Sequence, residues 1–204
     1  MIWQTFLRSK RYLIEFIITV LLLILIMILF PQFLQFIERR EGVVLNDPIL
    51  NLFNPVDLTW LTFAVIYLSI ILFLSTILMK PFKLMLALQT YGLMVIFRAI
   101  AMYLTPLNPP NGIILLDDPF VQLFGQGEIL TKDLFFSGHT ATLFLLFLLT
   151  ENKKLRMIFL ASTIVVGACV LFQKVHYSID VFAAFFFTFL VFRIINYFHR
   201  TEMI

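Results

Sequence analysis

Two histidines and one aspartate stand where long apolar runs begin: His139 in Phe136-Ser137-Gly138-His139-Thr140, and His176 with Asp180 in His176-Tyr177-Ser178-Ile179-Asp180. In a chain built for lipid, ionisable groups at that depth are costly to bury and are usually functional. A histidine four residues before an aspartate on one helix places imidazole and carboxylate on one face, a turn apart. There the carboxylate can orient and polarise the ring, which makes the imidazole a nucleophile. Asp180 adds a second argument, because an aspartate one turn inside an apolar helix costs about 2.5–3.5 kcal/mol on insertion scales unless it has a partner. His176 is the nearest candidate.

Two imidazoles, a carboxylate and the guanidinium of Arg98 suit phosphoryl transfer. One imidazole attacks phosphorus, the other gives a proton to the departing alkoxide, and arginine binds the equatorial oxygens. That scheme uses no metal, and no cofactor is expected. Gly138 lets the backbone approach an anion at a helix start, where free N–H groups favour negative charge. A serine hydrolase is less apt, since Ser137 lies beside His139 and lacks the glycine pattern of a nucleophile elbow. Asp117 and Asp118 read as a solvated pair with no His or Cys cluster nearby, so no metal is assigned. Glu15 has Arg11 four residues before it and is expected to form a local ion pair. Arg193 reads as a snorkelling side chain and Cys169, the single cysteine, as a packing residue.

The elements that must position these groups are membrane spans. Of 204 residues, 61% are hydrophobic and 13% charged, with a mean hydropathy of +1.00, against about 25% charged in globular domains. The expected fold is all-α, a polytopic bundle of six transmembrane helices over residues 13–30, 58–79, 82–104, 138–150 (extended back through 134), 155–172 and 176–198. It is read as one integral-membrane domain over residues 1–204, with the motif-bearing core at 91–197. Arg8, Lys10 and Arg11 precede the first span, whose apolar run is too long for a signal peptide and has no small-residue cleavage site after it. It is expected to remain as a signal anchor.

With the amino terminus inside, the cytoplasmic segments carry Arg8, Lys10, Arg11, Lys80, Lys83, Lys153, Lys154, Arg156 and Arg200. The outer segments carry only Arg39, Arg40, Lys132 and Lys174. The positive-inside rule therefore places both termini in the cytoplasm. The net charge of +3 reflects that topology and contact with anionic lipids, not nucleic-acid binding. Of the two longer outer segments, residues 33–41 read either as an interfacial amphipathic helix or as a splayed helix end. Pro106, Pro109 and Pro110 make the second a rigid, non-helical rim.

Parity adds a test that the residues did not have to meet. If the third span runs outward and the fourth and sixth run inward, then Arg98, His139, His176 and Asp180 all lie at one depth near the outer face. Singly, each histidine can be an interfacial anchor and Arg98 can snorkel. Together they converge.

The motifs Arg98-x-x-x-Met102-Tyr103-Leu104-Thr105, Asp133-x-x-x-Ser137-Gly138-His139-Thr140 and His176-Tyr177-Ser178-Ile179-Asp180-Val181 resemble, in order and spacing, the type 2 phosphatidic acid phosphatase superfamily and within it the sphingomyelin synthase-like branch. The resemblance implies a six-helix core, a site facing away from the cytosol, and a triad of His139, His176 and Asp180. His176 would form a phosphohistidine, Asp180 would support its imidazolium, and His139 would protonate the leaving alkoxide and then deprotonate the incoming alcohol or water. Arg98 would hold phosphate oxygens, with Ser137 and Gly138 and possible help from Tyr103. The phosphatase branch carries a lysine and an arginine where this chain has Tyr91 and Val170. Losing two cations weakens the case for a dianionic monoester and favours a monoanionic phosphodiester lipid. The same loss disfavours a vanadium haloperoxidase. Thr131-Lys132 replaces the Cys-Gly of the synthase branch, and Lys132 and Lys174 are candidates to restore the missing charge.

The expected function is transfer of a phospho-headgroup from a glycerophospholipid to a lipid alcohol of ceramide or diacylglycerol type. Rivals are a lipid phosphatase or phospholipase C-like hydrolase with water as acceptor, a transporter or proton relay, and a non-enzymatic lipid binder. The partners expected are membrane lipids. A transporter would spread ionisable groups through the membrane depth, whereas this set clusters at one face.

Overall fold

A computed structural model describes residues 2–116 and 130–199. Asp117, Asp118 and Arg200 lie outside the described residues. The described elements are helical: α1 (Trp3–Arg8), α2 (Lys10–Glu38), α3 (Thr59–Ile77), α4 (Pro81–Leu104), α5 (Gly138–Leu149), α6 (Lys153–Phe172) and α7 (Ser178–Phe198), with a 3-10 turn at Leu50–Leu52. Local chemistry sets several of the starts. Pro81 opens α4, where its missing N–H costs nothing. The Asn152 side chain accepts from the N–H groups of Lys154 (3.0 Å) and Leu155 (3.2 Å) at the start of α6.

Five helices, α2, α3, α4, α6 and α7, are long and apolar enough to cross a membrane. The fourth expected span differs. Its helix α5 has 12 residues, about 18 Å at 1.5 Å per residue, short of a ~30 Å hydrocarbon core. Residues 134–137, which hydropathy appends to that span, are not helical. The reason is position: α5 packs against α3, α4, α6 and α7, so protein surrounds it, and irregular backbone is tolerated at membrane depth when protein satisfies it. Here Arg98 Nε donates to the Phe136 carbonyl (2.9 Å) and the Ser137 N–H donates to the Asp180 carbonyl (3.1 Å).

The segment at 33–38 is the continuation of α2 through Pro31, so of the two readings the helix end holds and no separate interfacial helix forms. α1 carries no signal in hydropathy. It folds back so that Phe6, fully buried, stacks on Tyr12 (5.5 Å), while Trp3 Nε1 donates to the Leu78 carbonyl (2.9 Å).

At one end of the bundle the loops knit into a cap. Val43 and Leu107 form an isolated parallel bridge, and a Cβ on Gly42 would lie 2.5 Å from the Leu107 carbonyl carbon, so this crossing requires glycine. Val56 N–H donates to the Phe172 carbonyl and Ile114 N–H to that of Gln173. The proline segment is non-helical, as its sequence predicts. At the opposite end, Glu15 reaches across the bundle: its Oε1 accepts from Gln89 Nε2 (2.9 Å) and lies 3.2 Å from His199 Nε2. The local-pair reading of Glu15 therefore understates its reach.

Candidate active site

Asp180 is the third residue of α7, and its Oδ2 accepts from the Tyr177 N–H (3.1 Å), one of the donors left open at a helix start. The same oxygen lies 3.2 Å from His176 Nδ1. His176 itself precedes the helix. The pairing expected of two residues on one helix face is thus made instead across the helix entrance, where the incoming chain folds His176 back over the first turn. Both groups are buried, His176 to 3% exposure and Asp180 to zero. With Nδ1 held by the carboxylate, Nε2 is the ring nitrogen left for chemistry.

From outside, Asp47 fixes the same entrance. Its Oδ2 accepts from the Ser178 N–H (2.6 Å) and its Oδ1 from those of Ile49 (2.9 Å) and Leu50 (3.4 Å). Burial alone would push the Asp47 carboxyl up, but the hydrogen bonds from Ser178, Ile49 and Leu50 outweigh it and hold the group below its ordinary range. Tyr177 adds a second strap, donating from its hydroxyl to the Asn108 carbonyl (2.8 Å).

Ser137 caps α5. It is fully buried, and its Oγ takes the Thr140 hydroxyl (3.1 Å) and the Thr140 N–H (3.4 Å), which is a structural role. Gly138 has a steric reason to be glycine: a Cβ there would sit 2.8 Å from Arg98 Cζ and 2.9 Å from its Nη1. The guanidinium thus lies flat against the start of α5. Asp133 Oδ1 holds its Nη2 at 2.5 Å and the Phe136 carbonyl holds Nε. Two side-chain nitrogens are thereby fixed, and the fork retains further N–H donors for an anion. His139 follows Gly138, with its ring centroid 6.3 Å from that of His176 and 5.9 Å from that of Phe63.

A cleft of about 640 Å³ reaches this point. Its walls come from α2, α3, α4 and α5, with apolar side chains such as Met27, Ile70, Phe73 and Leu146, and at one end it meets Arg98, Asp133, Gly138 and His139. Tyr91 lines it, and Val170 is buried in the core, so neither position contributes a cation.

The structure brings together Arg98, Gly138, His139, His176 and Asp180. It does not bring Lys132, Lys174 or Tyr103 to the cleft. Lys132 Nζ donates to the Arg40 carbonyl (2.6 Å), and Lys174 Nζ lies over the Phe53 ring (5.9 Å). The exposed Tyr103 ring carries the Arg40 guanidinium at 4.9 Å. Each lysine has a partner outside the cleft and neither lines it, so the charge that Tyr91 and Val170 lack is not restored by them. The sequence places Asp133 in the second motif without assigning it a role in the site. The signal that could have marked it is an acidic side chain at the mouth of an apolar run, as at Asp180.

Residues 132–197 match the family model described as PAP2 superfamily C-terminal. No curated protein matches the chain. The matched stretch contains Asp133, His139, His176 and Asp180, while Arg98 lies outside it on α4. The match spans about a third of the chain, so over this stretch the protein is similar to the C-terminal part of the PAP2 superfamily, in a chain with five helices long and apolar enough to cross a membrane.

Proposed function

We propose that this chain is a lipid phosphotransferase that moves a phospho-headgroup from a glycerophospholipid to a lipid alcohol through a phosphohistidine. The observation that carries the reading is the cleft. An apolar groove among four helices ends on a guanidinium and an imidazole, which matches a molecule with an acyl tail and an anionic phosphate. A soluble phosphoester has no use for those walls.

In the proposed first step Nε2 of His176 bonds to phosphorus as the bond to the diacylglycerol oxygen breaks, and His139 delivers a proton to that oxygen. In the second, a lipid alcohol gives its proton to His139 and attacks phosphorus, and the P–N bond breaks. Asp180 stabilises the positive ring of the intermediate, and Arg98 binds the non-bridging oxygens. Water in place of the lipid alcohol makes the same site a phosphatase or phospholipase C-like hydrolase. By the distribution of basic residues the site faces away from the cytoplasm, with both termini inside.

The test is to incubate purified protein with a fluorescent ceramide and phosphatidylcholine or phosphatidylethanolamine, alongside phosphatidic acid, and to separate the lipids. Headgroup-bearing ceramide that disappears with His176→Ala is the expected outcome. Diacylglycerol without a ceramide product moves the assignment to hydrolysis. Full activity in His176→Ala refutes the nucleophile.

A further inference from the structure

We infer that Asp133 is a specificity-determining residue, a fixed negative charge beside Arg98 that turns the phosphate site toward singly charged phosphodiesters and away from doubly charged phosphomonoesters. This rests on the reading of the cleft as a lipid-phosphate site and adds to it a residue that sets the charge of the substrate.

The first ground is the charge balance around the cleft end. Arg98 is paired with the Asp133 carboxylate and His176 with that of Asp180, while Lys132 and Lys174 are engaged elsewhere. The positive charge of Arg98 is therefore already matched by Asp133 before any phosphate arrives. A monoanion adds one uncompensated charge and a dianion adds two, in surroundings where unscreened charges act strongly on each other. The ion pair also takes up one N–H edge of the only guanidinium at the site among the described residues.

The second ground is that Asp133 is held in place rather than left to swing away. The Glu38 carboxylate, at the last residue of α2, accepts from the Thr131 N–H (3.0 Å), the Thr131 hydroxyl (2.6 Å) and the Lys132 N–H (2.9 Å). Those two residues lead directly into Asp133, and Lys132 Nζ pins the same segment to the Arg40 carbonyl. Nor is the carboxylate sealed behind Arg98: its side chain is 30% exposed and it lines the cleft, so an incoming phosphate meets it. A carboxylate needed only to orient arginine would be better placed behind it.

The experiment uses the purified full chain in detergent at pH 8, above the second ionisation of a phosphomonoester at about 6. Binding of dihexanoyl phosphatidylmethanol, a diester with one charge and no cationic headgroup, is compared by calorimetry with binding of dihexanoyl phosphatidic acid. The wild type is expected to bind the diester at least as tightly as the monoester. Asp133→Asn should shift that ratio toward the monoester by a factor on the order of ten, and Asp133→Glu should keep the wild-type ratio. A wild type that prefers the monoester overturns the proposal without any variant. An Asp133→Asn ratio equal to wild type overturns it too, even if both affinities fall, because that is the result of merely misplacing Arg98. Binding needs no turnover, so absence of phosphohistidine chemistry would sink the transferase reading and leave the charge selection standing. A chain that binds neither lipid overturns both.

Discussion

Two polar knots tie the bundle, one at each end, and they are built from similar side chains. At one end are Arg98, Asp133, His139, His176 and Asp180; at the other are Glu15, Thr19, Gln89 and His199. Each combines carboxylate with imidazole and each joins α4 to α7. Their difference is what surrounds them. The Glu15 knot closes on itself: Gln89 Nε2 donates to Glu15 and to Thr19 (3.2 Å), while its Oε1 lies 3.0 Å from His199 Nε2, and none of the four lines the apolar cleft. The Arg98 knot ends on that cleft. An ionisable group at membrane depth is therefore not by itself a site; it becomes one where donors remain and space for a ligand adjoins them. Between the knots, α4 carries no carboxylate, imidazole or amine from Thr90 to Phe97, and α7 none from Val181 to Phe192. The two ends are not linked along these helices as a proton path would require, which argues for the enzyme over the relay.

The contrast is broken hardest at Asp180. Asp180→Asn keeps the size of the side chain and removes the charge that holds His176 Nδ1, so turnover should fall by about 10³–10⁴-fold, as in other triads whose carboxylate orients an imidazole. Initial rates of headgroup transfer, compared at matched amounts of folded protein, check this. A change of only a few-fold would place Asp180 with the structural knot, as a helix-start cap for the Tyr177 N–H and nothing more.

The opposite knot should give the reverse signature. Gln89→Leu removes both donors to Glu15 and Thr19 and the acceptor for His199, at a cost of about 1–2 kcal/mol for interhelical polar contacts at membrane depth. Thermal unfolding in detergent should shift down, while turnover per folded molecule stays within about two-fold. Turnover that collapses with the fold intact would make this end part of the mechanism and undo the comparison.

The two knots were also unequally legible in the sequence. The helices announced themselves by apolar length, and the four residues Arg98, His139, His176 and Asp180 by type, spacing and parity. Hydropathy could not show that α5 is short, because residues 134–137 are as apolar as a helix and leave it only where Arg98 and Asp180 take up their backbone groups. Nor could it place the lysines. Lys132 and Lys174 have the right charge at the right depth, and only the folded loops reveal the Arg40 carbonyl and the Phe53 ring as their partners. The Glu15 knot was hidden for the same reason: Gln89 and His199 are far from Glu15 in the chain and meet it only across the bundle.

The smallest effect on stability is expected at Asp47, which belongs to neither knot but holds the entrance of α7 from the loop side. Asp47→Asn leaves one acceptor oxygen and weakens the hold on the Ser178, Ile49 and Leu50 N–H groups, so the loss should be about 0.5–1 kcal/mol, within the range of a helix cap. Turnover should fall only a few-fold, because the His176–Asp180 contact is made within the α7 entrance itself. The pH dependence fixes the assignment more sharply than the magnitude. The folded-state pKa of Asp47 lies below its ordinary value of 3.8, so the contribution is fully present above that value and is lost as pH falls through the depressed one. Below about pH 4 the thermal midpoint of the wild type should therefore drop more steeply than that of Asp47→Asn, the two converging in acid. Parallel curves would show that the carboxylate charge does not hold the loop, and would move the restraint on α7 to the Tyr177 hydroxyl and its bond to the Asn108 carbonyl.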